Sequence, residues 1–126
     1  MLDGLPILIV EDEALIALDL AEAIKQIDGR PIGPVATVEE ALHLLNTHTI
    51  EAAILDANLA DRDVTPLALA LIERGLPFVI HMGTGVPAEL AQQHPDLPVI
   101  PKPARSTMVL AALLQRLSPD RMRFSD

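Results

Sequence analysis

What most constrains this chain is an alternation: short apolar runs separated by longer stretches with helical periodicity. Runs at Pro6–Val10, Ile32–Ala36, Ala52–Asp56, Pro77–His81 and Pro98–Pro101 read as strands. Several are apolar throughout instead of alternating, as expected of strands covered on both faces. Between them lie helices with readable limits. From about Glu13 to Ile27, the residues Ile16, Leu20, Ile24 and Ile27 share one stripe. Thr37 with Glu40 forms a capping box that satisfies two orphan N–H groups at the start of the second helix. In the third, Thr65 precedes Pro66 at the first helical position and Gly75 follows Arg74 past the end. A short fourth helix fits Pro87–Gln93, and a fifth begins near Ser106, buries Val109, Leu110, Leu113, Leu114 and Leu117, and stops at Ser118-Pro119.

Five such βα units predict an α/β fold: a doubly wound five-stranded parallel sheet of order 2-1-3-4-5, because right-handed crossovers place helices on both faces. The expected organisation is one domain over residues 1–126, with a core of about 5–117 and a short tail, 118–126, too small for an output domain. Composition narrows the function. The net charge is −9, from nine basic and eighteen acidic residues, the basic ones are scattered, and Tyr and Trp are absent. Such a surface repels phosphate backbones and offers little to stack on bases, so nucleic-acid binding is not expected. With no cysteine there is no disulfide, no thiolate catalysis and no sulfur-ligated metal. No apolar run approaches the roughly 20 residues of a membrane span, and the start lacks a secretory pattern. The expected setting is cytoplasmic, without membrane insertion.

In a doubly wound sheet ligands bind beyond the carboxyl ends of the strands. Glu11 and Asp12 follow strand one, Asp56 closes strand three, and Lys102 follows strand five between two prolines. Three carboxylates in one crevice repel, which raises the pKa of at least one, and a hard divalent cation such as Mg²⁺ relieves that repulsion. Asp12 and Asp56 are then direct ligands, the backbone carbonyl of Asn58 a third, Glu11 a partner through water, and Lys102 the counter-charge of Asp56. Taken singly these residues have plainer roles: an acidic cap on the first helix, a turn-forming Asn, a surface Lys. Their convergence at one end of the sheet argues for a site. His43, His48, His81 and His94 lack metal-ligand spacing; His81, next to Met82, reads more readily as a satisfied strand histidine than as a lining of the crevice. Asp61 and Asp63 read as solvated loop acids.

Ile7-Leu-Ile-Val-Glu-Asp-Glu13, Ala53-Ile-Leu-Asp-Ala-Asn58 and Pro101-Lys-Pro103 resemble, in order and spacing, the signature segments of bacterial response-regulator receiver domains. The resemblance covers about residues 5–117. Pro77-Phe-Val-Ile-His-Met-Gly83 is similar to a single-domain subgroup whose fourth strand reads Phe-x-Phe-Ala-Thr-Gly. The resemblance implies a flavodoxin-like (βα)5 fold and a Mg²⁺-dependent phosphoacceptor at Asp56, served by a histidine kinase or histidine phosphotransfer protein. Lys102 would contact the phosphoryl group, and the Lys102-Pro103 bond would be cis. The chain would not be an enzyme, but would act on a downstream protein through contacts near the short fourth helix and the face beside the fifth strand.

Two positions depart from that pattern. The Ser or Thr at the end of strand four is Met82, whose thioether cannot donate a hydrogen bond. Losing a charge-assisted bond there costs roughly 1.5–3 kcal/mol. Thr84, two residues on, is the hydroxyl available to replace it. The aromatic residue three positions before the lysine is Val99. These degenerate switch positions keep open a pseudo-receiver, an interaction module with weakened or absent phosphorylation switching. A phosphohydrolase with an aspartyl-phosphate intermediate is disfavoured, because Asn58 stands where a second acid is needed.

Overall fold

A computed structural model of the chain describes residues 2–57, 59, 61–82 and 88–117, Glu89 by its backbone alone. The expected ligand Asn58, the expected hydroxyl Thr84 and the tail 118–126 lie outside the described residues. The elements are β1 (Pro6–Val10), α1 (Ala14–Gln26), β2 (Arg30–Val35), α2 (Val38–Thr47), β3 (Ala52–Asp56), α3 (Thr65–Glu73), β4 (Phe78–Met82), α4 (Ala88–Gln93), β5 (Val99–Pro101) and α5 (Ser106–Leu114). They form one sheet of order β2-β1-β3-β4-β5, every neighbouring pair parallel. That is the fold class and strand order expected from the alternation.

The sheet divides two cores, and β3 shows why its sequence lacks a period of two. Ala53, Leu55 and Ala57 enter one core with Val38, Leu45, Leu67 and Leu71 of α2 and α3. Ala52 and Ile54 enter the other with Leu20 and Ile24 of α1 and Val109 and Leu113 of α5. Both sets are buried, so both must be apolar. Each fully buried Leu or Ile contributes about 1.5–3 kcal/mol. The helical stripes are narrower than expected: Ile16, Ile27 and Leu114 are only half-buried.

β2 begins at Arg30, two residues earlier than expected. Pro31 argues against an interior strand, but β2 is an edge, and an edge tolerates a missing donor. Its ladder with β1 shifts register between Leu8 and Val10. Opposite that shift Gly33 has φ +91°, and a Cβ there would meet Val35 N at 2.9 Å and Ile9 O at 3.1 Å. Only glycine fits. Gly33-Pro34 is cis. β5, the opposite edge, contains Pro101 and follows Pro98, whose carbonyl accepts from Ile80 N–H at 2.8 Å.

Helix α2 is held at both ends. Thr37 Oγ1 accepts from Glu40 N–H at 3.1 Å, while its hydroxyl donates to Glu40 Oε1 at 3.0 Å, so only half of the expected capping box forms. The next donors, Val38 N–H and Glu39 N–H, go to Asp61 at 2.9 and 3.2 Å. Asp61 is exposed, as expected of a solvated loop acid, and it is also a cap delivered from the loop before α3. The Val38 N–H bond, aided by that of Glu39, outweighs partial desolvation and holds the Asp61 carboxyl below its usual pKa. At the other end Arg74 donates to Leu45 O at 2.9 Å and to Asn46 Oδ1 at 2.7 Å. Both charges match the helix dipole. Asp63 likewise takes a capping role, accepting from Thr65 N–H at 2.8 Å. Thr65 is the first helical residue of α3, so Pro66 sits at the second position, and Gly75 with φ +68° ends the element.

Candidate functional site at the carboxyl ends of the strands

The ladder places each site residue. Glu11 N–H extends the β1–β2 pairing by donating to Val35 O at 2.9 Å, and Lys102 N–H extends β4–β5 by donating to Met82 O at 2.6 Å. Alternation along β3 directs Asp56 to the side of α1 and α5, the side that also receives Ile54. The Glu11 carboxylate then turns over the start of α1, where Oε2 accepts from Glu13 N–H at 3.2 Å. Only Glu11 of the acidic pair makes this contact, and it reaches the N–H of the N-cap residue, not the first-turn donors of α1 that a helix cap would satisfy.

Lys102 Nζ lies 3.3 Å from Glu11 Oε1, 3.6 Å from Asp56 Oδ2 and 3.8 Å from Glu13 Oε1. Oxygen atoms of Glu11, Asp12 and Asp56 all lie within 4.8 Å of one another, with Glu11 and Asp56 buried and Asp12 exposed. The structure therefore brings together Glu11, Asp12, Asp56 and Lys102. It adds Glu13, which sequence reasoning assigned only to a helix start; the Glu-Asp-Glu run was the available signal. Burial pushes the Glu11 carboxyl up to about 7; the Glu13 N–H bond opposes this, while the hydrogen bond and charge of Asp56 reinforce it. Burial works against the Lys102 ammonium, but Glu11, Asp56 and Glu13 together outweigh it and raise its pKa.

Met82 and Val99 are half-buried and pack against the core beneath α2 and α3. His81 departs from expectation. It is 3 % exposed, yet neither ring nitrogen has a hydrogen-bond partner among the described residues. Leu15, Ile16, Asp19, Lys102 and Ser106 line a cleft with it between α1 and α5. Across that cleft Ser106 Oγ donates to Asp19 Oδ2 at 2.6 Å. The Lys102-Pro103 bond is cis. On α1, Leu15 and Leu18 are 83 % and 62 % exposed. Among the described residues no helix is long and apolar enough to cross a membrane.

No family model matches the chain. Over 75 residues, 59% of its length, it is 37% identical to the transcriptional regulatory protein PdtaR of Mycobacterium tuberculosis, and the match spans 37% of that relative. The solution structure of SdrG from Sphingomonas melonis Fr1 is 40% identical, with 90% of this chain and 99% of that one covered at a TM-score of 0.73. SdrG has also been solved in a BeF3-activated conformation, 41% identical, covering 86% of this chain and 95% of that one at a TM-score of 0.67. The non-phosphorylated HemR receiver domain from Leptospira biflexa is 26% identical, with 91% and 95% covered and a TM-score of 0.76.

Proposed function

The chain belongs to the response-regulator receiver domains of two-component signalling, and from that premise we propose that Asp56 accepts a phosphoryl group from a histidine kinase or histidine phosphotransfer protein. The observation that carries the reading is the placement of Lys102 Nζ 3.6 Å from Asp56 and 3.3 Å from Glu11, at the edge of a three-carboxylate cluster. An Asp56 oxygen would form the new O–P bond as the donor's P–N bond breaks, with the electron pair passing to the donor imidazole. The chain's contribution is positioning and charge neutralisation. Lys102, held by three carboxylates, is placed to follow the negative charge onto the phosphoryl oxygens.

The donor set fits a hard cation. Oxygens on opposite sides of Mg²⁺ stand about 4.2 Å apart, so carboxylates already within 4.8 Å of one another need little movement to share it. Asp12 and Asp56 would hold it directly and Glu11 through water, with the Asn58 carbonyl as the expected third ligand. When bound, Mg²⁺ would supply positive charge that offsets the negative charge of the transferring group. Leu15 and Leu18, exposed on the helix that opens beside the crevice, offer the apolar contact a phosphodonor protein would need to reach Asp56. This reading sets the chain in the cytoplasm, acting on a downstream protein by contact.

A second reading, the pseudo-receiver, is favoured by Met82: the residue closing β4 packs as core and carries no hydroxyl. Acetyl phosphate with Mg²⁺, read by intact mass beside an Asp56→Asn control, separates the two. A phosphoryl-sized gain that the control lacks supports the acceptor. Folded protein that binds Mg²⁺ and gains nothing is a pseudo-receiver.

A further inference from the structure

β4 enters the sheet as Phe78-Val79-Ile80, all buried and apolar, and then places an imidazole in the next buried position. His81 is paired in register with Asp56 on β3, so the two side chains leave the sheet on the same face, from strands about 4.8 Å apart. On its other flank β5 leads into Lys102, which lines the same cleft. An apolar residue would fill this position without leaving polar atoms unmatched. A buried imidazole with both nitrogens unpartnered among the described residues is costly to the resting fold. Burial, with the neighbouring Lys102 charge, holds the His81 pKa below its usual value against the opposing pull of Asp56 and Glu13, so the ring is neutral and carries one N–H. The nearest place where new acceptor oxygens would arise is the acyl phosphate on Asp56.

We propose that His81 is a phosphoryl-binding residue, donating its ring N–H to an oxygen of the acyl phosphate on Asp56. The inference rests on the reading of Asp56 as acceptor and assigns His81 a role in holding the product of that reaction. The contact exists only after phosphoryl transfer, which accounts for a ring without a partner among the described residues of the resting structure. It also gives the site a donor from β4 that does not depend on the residue at position 82. Lys102 and His81 would then approach the phosphoryl group from β5 and β4, one as a charge and the other as a directional donor.

Two measurements on the full chain test this. The first follows the ring nitrogens and ring N–H protons of ¹⁵N-histidine-labelled protein, with His81 assigned by its loss in His81→Gln, before and after adding beryllium fluoride and Mg²⁺. The expected result is a His81 ring N–H signal that shifts downfield and exchanges slowly with water only when both are present. The second compares phosphoaspartate lifetimes after acetyl phosphate labelling. His81→Leu, which removes the donor at similar volume, should shorten the lifetime about tenfold, whereas His81→Gln, which keeps an N–H, should stay within about threefold of the parent. An unmoved ring signal in protein whose backbone amides respond to beryllium fluoride overturns the role of His81 and leaves Asp56 as acceptor. So does a His81→Leu lifetime equal to or longer than that of the parent. If His81→Leu does not fold, the ring signal decides. A parent chain that takes neither beryllium fluoride nor phosphoryl overturns the Asp56 reading itself, and this inference with it.

Discussion

Burial in the crevice, reinforced by Asp56, raises the Glu11 carboxyl pKa from 4.5 to about 7. At roughly 1.4 kcal/mol per unit, that is on the order of 3 kcal/mol. The folded pKa lies above the unfolded one, so the contribution is fully present below about pH 4.5 and is lost as pH rises through about 7. Thermal unfolding in chelator is expected to show the parent losing stability from pH 5 to 8 relative to Glu11→Gln, both slopes carrying the same opposite contribution from His81, whose pKa is held below its usual value. Mg²⁺ should raise the parent's midpoint more at pH 8 than at pH 5.5. Equal slopes for parent and variant would mean that Glu11 does not carry the strain of the cluster. Much of this site was legible because strand ends are local features: an acid closing an apolar run, an acid pair after strand one, a lysine between prolines. The part played by Glu13 was not, nor was the lack of a partner for the His81 ring among the described residues. Whether a helix-start Glu reaches Lys102, or a strand imidazole finds a partner, depends on neighbours many residues away.

Among the elements, α2 is the one whose ends were least readable. Thr37 is a local cap, but Asp61 and Arg74 come from either side of α3, too far along the chain for any local pattern to reveal them. Asp61→Asn is expected to lower the unfolding midpoint at pH 7. Because the native Asp61 pKa lies below the ordinary carboxylate value of 3.8, its advantage is present above that pH and fades as pH falls through the native value. Parent and variant midpoints should therefore converge in acid, and a gap that persists there would deny the carboxylate its role. Arg74→Met should cost about 1 kcal/mol by urea unfolding, through the loss of two hydrogen bonds at the helix end. The α1 stripe was readable, yet its exposed leucines escaped notice because they lie outside it. Changing Leu15 and Leu18 to Ser should alter stability by less than about 0.5 kcal/mol each. Phosphoryl transfer from a phosphohistidine protein should slow, while labelling by acetyl phosphate continues at the parental rate. Slowing of both would place the leucines in the fold or the chemistry instead of in docking.

For the molecule as a whole, the run of five βα units was sufficient to give sheet order, because crossover handedness and two-sided burial leave few arrangements. What it missed was the start of β2, hidden behind Pro31, since the prohibition on proline holds for interior strands and this one is an edge. The other edge has Pro101 within it. Restoring a donor with Pro31→Val is expected to increase self-association at high concentration, measured by light scattering. No change would show that the margin is closed by something other than proline. Proline at both margins disfavours extending the sheet strand by strand, which shifts contact with copies or partners toward helices and loops.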